Sequence, residues 1–203
     1  LQHLGDNPQA AERIAQGLAR ITEQAEHAAA VIKRLRAFLR KGQRRMQALA
    51  LAELAREAVR LCHWEASSSQ VAIVEALPDN LPPVYADRVL LEQVLLNLLR
   101  NAIEANREAH PGQPSRIELD ASEAAGQLCI RVCDQGPGVT AEALEHIFTP
   151  FYTSKAEGLG LGLSMSRSIV EGFGGSLDAR PGEDGGLCLE CRLPLARTEQ
   201  PQE

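Results

Sequence analysis

Two asparagines one helical turn apart, an aspartate after an apolar run and a ladder of alternating glycines are the residues of this chain best suited to chemistry. They lie in Asn97-Leu-Leu-Arg-Asn101, Asp134-Gln-Gly136-Pro-Gly138 and Gly158-Leu-Gly160-Leu-Gly162-Leu-Ser164. An Asn side chain offers an oxygen to Mg2+ and an amide donor to phosphate oxygens. Gln93, Asn97, Asn101 and Glu104 recur at spacings of 4, 4 and 3, one stripe of a helix. Such a stripe ordinarily just faces water, but Asn is a poor interior helix former, so two in one stripe are unusual. A carboxylate at a strand end, such as Asp134, can accept a hydrogen bond from the adenine amino group, and Gly136 and Gly138 let backbone approach a flat ring. The plain alternative is an Asp-Gly turn. Gly158, Gly160 and Gly162 lead straight into a predicted helix, whose first N–H groups bind phosphate. A loop rather than a strand precedes them, and no Gly-Lys-Ser/Thr follows, so neither a dinucleotide fingerprint nor a P-loop is present. Lys155 adds a nearby cation. Each segment is weak singly; their order and settings read together as one nucleotide site.

The elements that position these residues follow from periodicity. Leu51 to Trp64 reads as a helix with Leu51, Leu54, Ala55, Ala58 and Leu61 on one face. Val71 to Glu75 is a short strand, and Leu81-Pro-Pro-Val an extended segment. Asp87 caps a helix that runs through Arg107 and stops before His110-Pro-Gly-Gln-Pro. Arg116 to Ala121 and Gln127 to Cys133 form a hairpin around Glu123 to Gly126. Residues 135 to 158 are mostly loop, with a short helix near 141 to 147. A helix from Gly162 to Gly172 and strands at Gly175 to Ala179 and Leu187 to Leu193, joined by the turn-rich PGEDGG, complete the pattern. It predicts one mixed sheet covered on one side by helices, an α+β two-layer sandwich.

A long helix precedes this domain. Ile14, Leu18, Ile21, Ala25, Ala28, Ile32, Leu35 and Leu39 alternate in steps of 4 and 3, a heptad seam that asks for a partner helix. Lys33, Arg34, Arg36, Arg40, Lys41, Arg44 and Arg45 form a basic patch without interleaved aromatics, suited to a helix C-terminus and a solvated linker rather than to nucleic acid. The divisions are 1–45 for the helix and linker, 46–195 for the main domain, and 196–203 for a polar, frayed tail.

Composition sets the outer limits. The 203 residues are 44% hydrophobic but only 3% aromatic, so Leu, Ile, Val and Ala must build the core. A net charge of -6 argues against a general nucleic-acid binder. No apolar run is long enough to span a membrane, and no direct membrane contact is expected. Leu1 suggests a fragment. Of the five cysteines, Cys188 and Cys191 have metal-like spacing but sit three apart on a strand, on opposite faces. Cys129 and Cys133 share a strand face. Core packing is the expected role for all of them, and a disulfide framework is not expected.

The ordered segments LEQVLLNLLRNAIEA, DQGPGV, FTPFYTSK and GLGLGLS resemble the asparagine, first glycine, phenylalanine and second glycine boxes of sensor histidine kinases, within the GHKL superfamily. The match covers about residues 48 to 195, and AAAVIKRLRAFLRKG is similar to the second helix of the family's dimerisation and phosphotransfer hairpin. The resemblance implies an α/β sandwich whose ATP lid lies between the two glycine boxes. Its short lid, roughly 139 to 157, is similar to nitrogen-regulatory and dicarboxylate-sensor types. By the same resemblance Asn101 coordinates Mg2+, Asn97 lies by the phosphates, and Asp134 reads adenine with Gly136 and Gly138 shaping the wall. Phe148 and Phe151 anchor the lid, Gly158, Gly160 and Gly162 form its hinge and the triphosphate cradle, and Lys155 and Arg100 are further phosphate contacts. Glu104 stands where many relatives have Lys.

The implied activity is transfer of the ATP γ-phosphoryl to a His, then to a response regulator receiver domain, by a kinase that is a homodimer through its hairpin. Superfamily ATPases carry a water-activating Glu one turn before the Mg2+ Asn; here that place is Asn97, a neutral side chain that cannot act as a base. His3, His27, His63, His110 and His146 do not resemble the phosphoacceptor motif and are read as structural or solvated. The acceptor helix is expected upstream, in a parent anchored in the bacterial inner membrane with this portion in the cytoplasm. The rival readings are a dimerisation and docking module with regulatory nucleotide binding, and a GHKL-type ATPase.

Overall fold

A computed structural model of the chain describes residues 45–155, 158–183 and 185–196. The predicted heptad helix and the residues after Ala196 lie outside the described residues. In chain order the elements are β1 (Met46–Leu49), α1 (Leu51–Ser68), β2 (Val71–Ala76), β3 (Val84–Asp87), α2 (Arg88–Ala109), β4 (Ser115–Ala124), β5 (Gln127–Cys133), α3 (Ala141–His146), α4 (Gly162–Glu171), β6 (Ser176–Pro181) and β7 (Leu187–Pro194).

Five strands form a mixed sheet in the order β2-β4-β5-β7-β6. Only β2 and β4 run parallel; the other pairs are antiparallel. The β4–β5 hairpin closes through Ala125 and Gly126, both at positive φ (53° and 72°), the geometry that suits a two-residue turn to strand twist. Side chains alternate across the sheet. Leu128, Ile130 and Val132 of β5 face Leu193, Cys191 and Leu189 of β7 and lie in the core. The intervening residues carry charge: Arg131 pairs with Asp120, and Arg192 with Asp178 and Glu190. One face is therefore apolar and covered by helices, and the charged side chains lie on the other, as the alternation predicts.

Helix α1 buries Leu51, Leu54, Ala55, Ala58, Cys62 and Ala66. Leu61, expected on that face, is 59% exposed. A helical stripe advances from Ala58 to Cys62 and then Ala66, four residues at a time, and leaves Leu61 a position to the side. Helix α2 spans 22 residues and buries Leu91, Val94, Leu95, Leu98, Leu99, Ala102, Ile103 and Asn106. Its predicted cap is present: Asp87 Oδ1 accepts from the N–H groups of Val89 and Leu90 at 3.0 and 3.2 Å.

The extended segment after Leu81-Pro-Pro is in fact a strand, β3, paired antiparallel with β1, which sequence periodicity did not reveal. The pair is anchored at both ends. Asp87 Oδ2 accepts from Arg45 N–H at 2.9 Å, and Ala196 N–H donates to the Pro83 carbonyl at 2.7 Å.

The expectation that all cysteines serve only packing is corrected: Cys133 and Cys188 form a disulfide. They are direct partners in the β5–β7 ladder, and cross-strand neighbours lie close enough to bond. Cys62, Cys129 and Cys191 are free and buried, as expected.

Because Asp87 serves both the first turn of α2 and Arg45 at the head of β1, Asp87→Ala is expected to cost about 1 kcal/mol. Urea unfolding should show a lower midpoint with an unchanged slope.

Candidate functional site

Helix α2 is the spine of the site. Asn97 lies toward its middle, where its Nδ2 donates to Ser166 Oγ of α4 at 3.0 Å. Gly162, the first residue of α4, packs against the same side chain so closely that a Cβ there would lie 2.6 Å from Asn97 Oδ1. A side chain there would push Asn97 aside, so the asparagine box and the second glycine box meet at one contact. Leu161, which precedes α4, gives its first turn no side-chain cap, and those N–H groups suit an anion. Asn101 is half-buried one turn further along α2.

Two turns beyond Asn97 the helix meets the other end of the site. A Cβ on Gly136 would lie 2.6 Å from the Ala105 Cβ, so the backbone after β5 runs against α2. Asp134 is only 7% exposed. Its Oδ1 accepts from the N–H groups of Gly136 and Leu187 at 2.8 and 3.0 Å. Burial pushes its carboxyl above the usual aspartate range, opposed by these two amides and by the charge of Lys155. With Oδ1 occupied by backbone donors, Oδ2 is the oxygen left for a ligand donor. Gly138 lies beside Gly186, completing the wall. Eight residues of helix separate Asn97 from Ala105, about 12 Å of rise, the length scale of a nucleoside triphosphate.

The wall is braced from behind by a residue that the sequence reading did not single out. Asn106 is fully buried. Its Nδ2 donates to Ser115 Oγ and the Arg116 carbonyl at 3.1 and 2.8 Å, and its Oδ1 accepts from Gln135 N–H at 2.8 Å. His110 Nε2 lies 2.8 Å from the Gln135 carbonyl, a structural role as expected. A third Asn inside the same helix carries the signal that marked Asn97 and Asn101.

The segment between the glycine boxes folds back on itself. Phe151 N–H donates to the Gly160 carbonyl at 2.9 Å. Phe148 packs against the core with the Arg167 guanidinium 4.6 Å from its ring centroid. Phe151, by contrast, is 73% exposed and held at a φ of 67°, unusual for a residue other than glycine. The His146 and Tyr152 rings meet tilted, at 49° and 5.8 Å between centroids. Gly158 N–H donates to the Lys155 carbonyl.

Not every predicted residue converges. Lys155 does reach the site, but its Nζ forms an ion pair with Glu104, the residue that stands where a cation was expected. Arg100 lies against Glu65 of α1 at 3.4 Å, paired with that carboxylate. Among the described residues no group of three His, Cys, Asp or Glu could hold a metal alone.

The fold and site define a sheet-and-helix sandwich in which an uncapped helix start faces a buried strand-end carboxylate across one spine helix. Residues 86–197 match the family described as histidine kinase-, DNA gyrase B-, and HSP90-like ATPase, and the chain belongs to it. It is 38% identical over 183 residues to the C4-dicarboxylate transport sensor protein DctB of Rhizobium meliloti (strain 1021), covering 90% of this chain and 28% of that protein. The chain thus spans well under half the length of that relative. Among solved structures it is similar to the catalytic domain of histidine kinase ThkA, with 31% identity and a TM-score of 0.66 over 74% of this chain and 95% of that one. It is also similar to ThkA in complex with the response regulator protein TrrA, at 26% identity and a TM-score of 0.74, over 96% of this chain and 54% of that one.

The raised pKa of Asp134 has a definite sign. Its contribution to folding is fully present below the ordinary aspartate pKa and is lost as pH rises through the higher folded value. At neutral pH the buried charge therefore opposes folding. Asp134→Asn keeps an oxygen for the Gly136 and Leu187 amides, so it should raise the melting temperature by a few degrees at pH 7. The gain should shrink toward pH 4, as thermal melts across that range would show.

Proposed function

We propose that this chain is the ATP-binding catalytic portion of a two-component sensor histidine kinase. It delivers the γ-phosphoryl to a His on a hairpin helix supplied by the longer parent protein. The observation that carries the reading is the shared spine: Asn97 and Gly162 meet at one end of an α2 segment whose other end holds Gly136 and Asp134. An adenine base fits against Asp134, with its amino group donating to Oδ2, and the phosphates fit against the first turn of α4.

Asn101 is the residue that would hold Mg2+, with phosphate oxygens and water supplying the remaining ligands; a single amide oxygen suits this cation, which keeps much of its water. When bound, the cation neutralises phosphate charge. The protein's own contribution is positioning and charge stabilisation by the α4 amides, as phosphoryl transfer requires. Asn97 is neutral and engaged with Ser166, so it cannot take a proton from water. That favours a protein acceptor over hydrolysis. The response regulator that would receive the phosphoryl next is suggested by the ThkA–TrrA complex, and dimerisation by the heptad helix. A cytoplasmic place for this portion, and an anchored parent, accord with the sensor proteins it resembles.

Two experiments test this. Titration with a fluorescent ATP analogue and Mg2+ should show binding that Asp134→Asn weakens by at least about tenfold, or 1.4 kcal/mol. Unchanged affinity would remove the adenine assignment. Mixing the chain with a folded hairpin polypeptide bearing the acceptor His and γ-labelled ATP should place acid-labile label on that His. Continuous release of inorganic phosphate without labelled protein would favour the hydrolase reading instead.

A further inference from the structure

Three of the five cysteines are free thiols with no disulfide partner. Cys62, Cys129 and Cys191 are buried, and burial pushes their thiols up, to about 11 for Cys129 and about 12 for Cys191. A thiol held so far above neutrality is a poor nucleophile. Cys133 and Cys188 are placed differently. Both project from the sheet face opposite the helices, since their neighbours Val132 and Leu189 face the core. Cys188 is fully buried, whereas Cys133 is partly exposed, so Cys133 is the member of the pair nearer to solvent.

Their position in the ladder is what matters. Asp134 follows Cys133, and Leu187 precedes Cys188. Asp134 N–H donates to the Leu187 carbonyl at 3.0 Å, and Leu187 N–H donates to Asp134 Oδ1 at 3.0 Å. The disulfide therefore ties the two strands one residue from the hydrogen bonds that aim the buried carboxylate. In the dithiol form only the ladder and these two bonds hold the strand ends together.

We infer that Cys133 and Cys188 are a reversible thiol–disulfide pair that sets the nucleotide affinity of the site, the disulfide form binding more tightly. The inference rests on the nucleotide reading given above. Its physical basis is preorganisation: a covalent tie across β5 and β7 removes conformations in which Asp134 and Leu187 separate, so less order is lost on binding. The oxidant is a small-molecule disulfide. The Cys133 thiolate attacks one of its sulfurs, its S–S bond breaks, and one thiolate leaves and takes a proton. The Cys188 thiolate then attacks the Cys133 sulfur of the mixed disulfide, forming the cross-strand bond and releasing the second small thiol. The two cysteines lose two electrons and two protons, and the small disulfide becomes two thiols.

The test uses the full 203-residue chain. It is equilibrated with oxidised glutathione or with dithiothreitol, freed of the reagent, and titrated with a fluorescent ATP analogue and Mg2+. Peptide mass mapping identifies the bond. The expected result is a 133–188 cross-link and roughly three- to tenfold tighter binding in the oxidised chain. The gain should be lost on re-reduction and absent from Cys133→Ser, which should bind like the reduced chain under both conditions. Cys133 is partly exposed, so that substitution leaves the core untouched, and a circular dichroism melt verifies its fold. Equal affinity in both states, an oxidised chain without this cross-link, or an oxidant effect that persists in Cys133→Ser would overturn the inference while the nucleotide reading stood. Absence of binding in both states would overturn both.

Discussion

A single buried carboxylate organises the ligand end of this molecule. Asp134 leaves β5 with little exposure, and water is replaced around it by two backbone amides, from Gly136 and Leu187. A charge in that position is costly unless donors are fixed in advance. The structure around it is arranged to fix them. β7 must lie beside β5 in one register to bring Leu187 into range, Gly136 must lack a side chain for the loop to run against Ala105, and Asn106 must hold Gln135 from within α2. The opposing shift in its ionisation shows that the donors offset only part of the desolvation.

The second organising element is a straight piece of helix used as a ruler. Residues 97 to 105 of α2 set the separation between the loop that follows β5 and the start of α4. The apolar face of the same helix, from Leu91 to Ile103, is locked into the core by α1 and the sheet. Core packing and site geometry are thus two faces of one object. Leu98 and Leu99 point inward while Asn97 points toward Gly162, and the helical period leaves no freedom to change one without the other.

Much of this was legible in advance, and what escaped has a common character. Helices α1, α2 and α4 and the β4–β5 hairpin declare themselves through local period and turn residues. The four ordered motifs point to the family, and the N-cap at Asp87 is readable from its own position. The features that escaped depend on partners distant in sequence. β1 and β3 are four residues each and stabilise one another across an entire helix. The Cys133–Cys188 pair is visible only once the register of strands separated by 55 residues is known. Lys155 meets Glu104 because the loop folds back over α2, and no spacing rule foretells that contact. Asn106 is an intermediate case: its residue type was a signal, but its burial depends on the start of β4 lying behind it.

The unequal construction of the two ends bears on discrimination. The base-reading wall is a closed set of hydrogen bonds to backbone, braced by a side chain with no exposure. The phosphate end is the start of α4, reached by a glycine-jointed strap in which Phe148 packs on the core while Phe151 is exposed in an unfavourable backbone conformation. Spent and unspent nucleotide are identical at the first end and differ only at the second. On the nucleotide reading proposed above, the strap is therefore the part of the site able to tell the two forms apart.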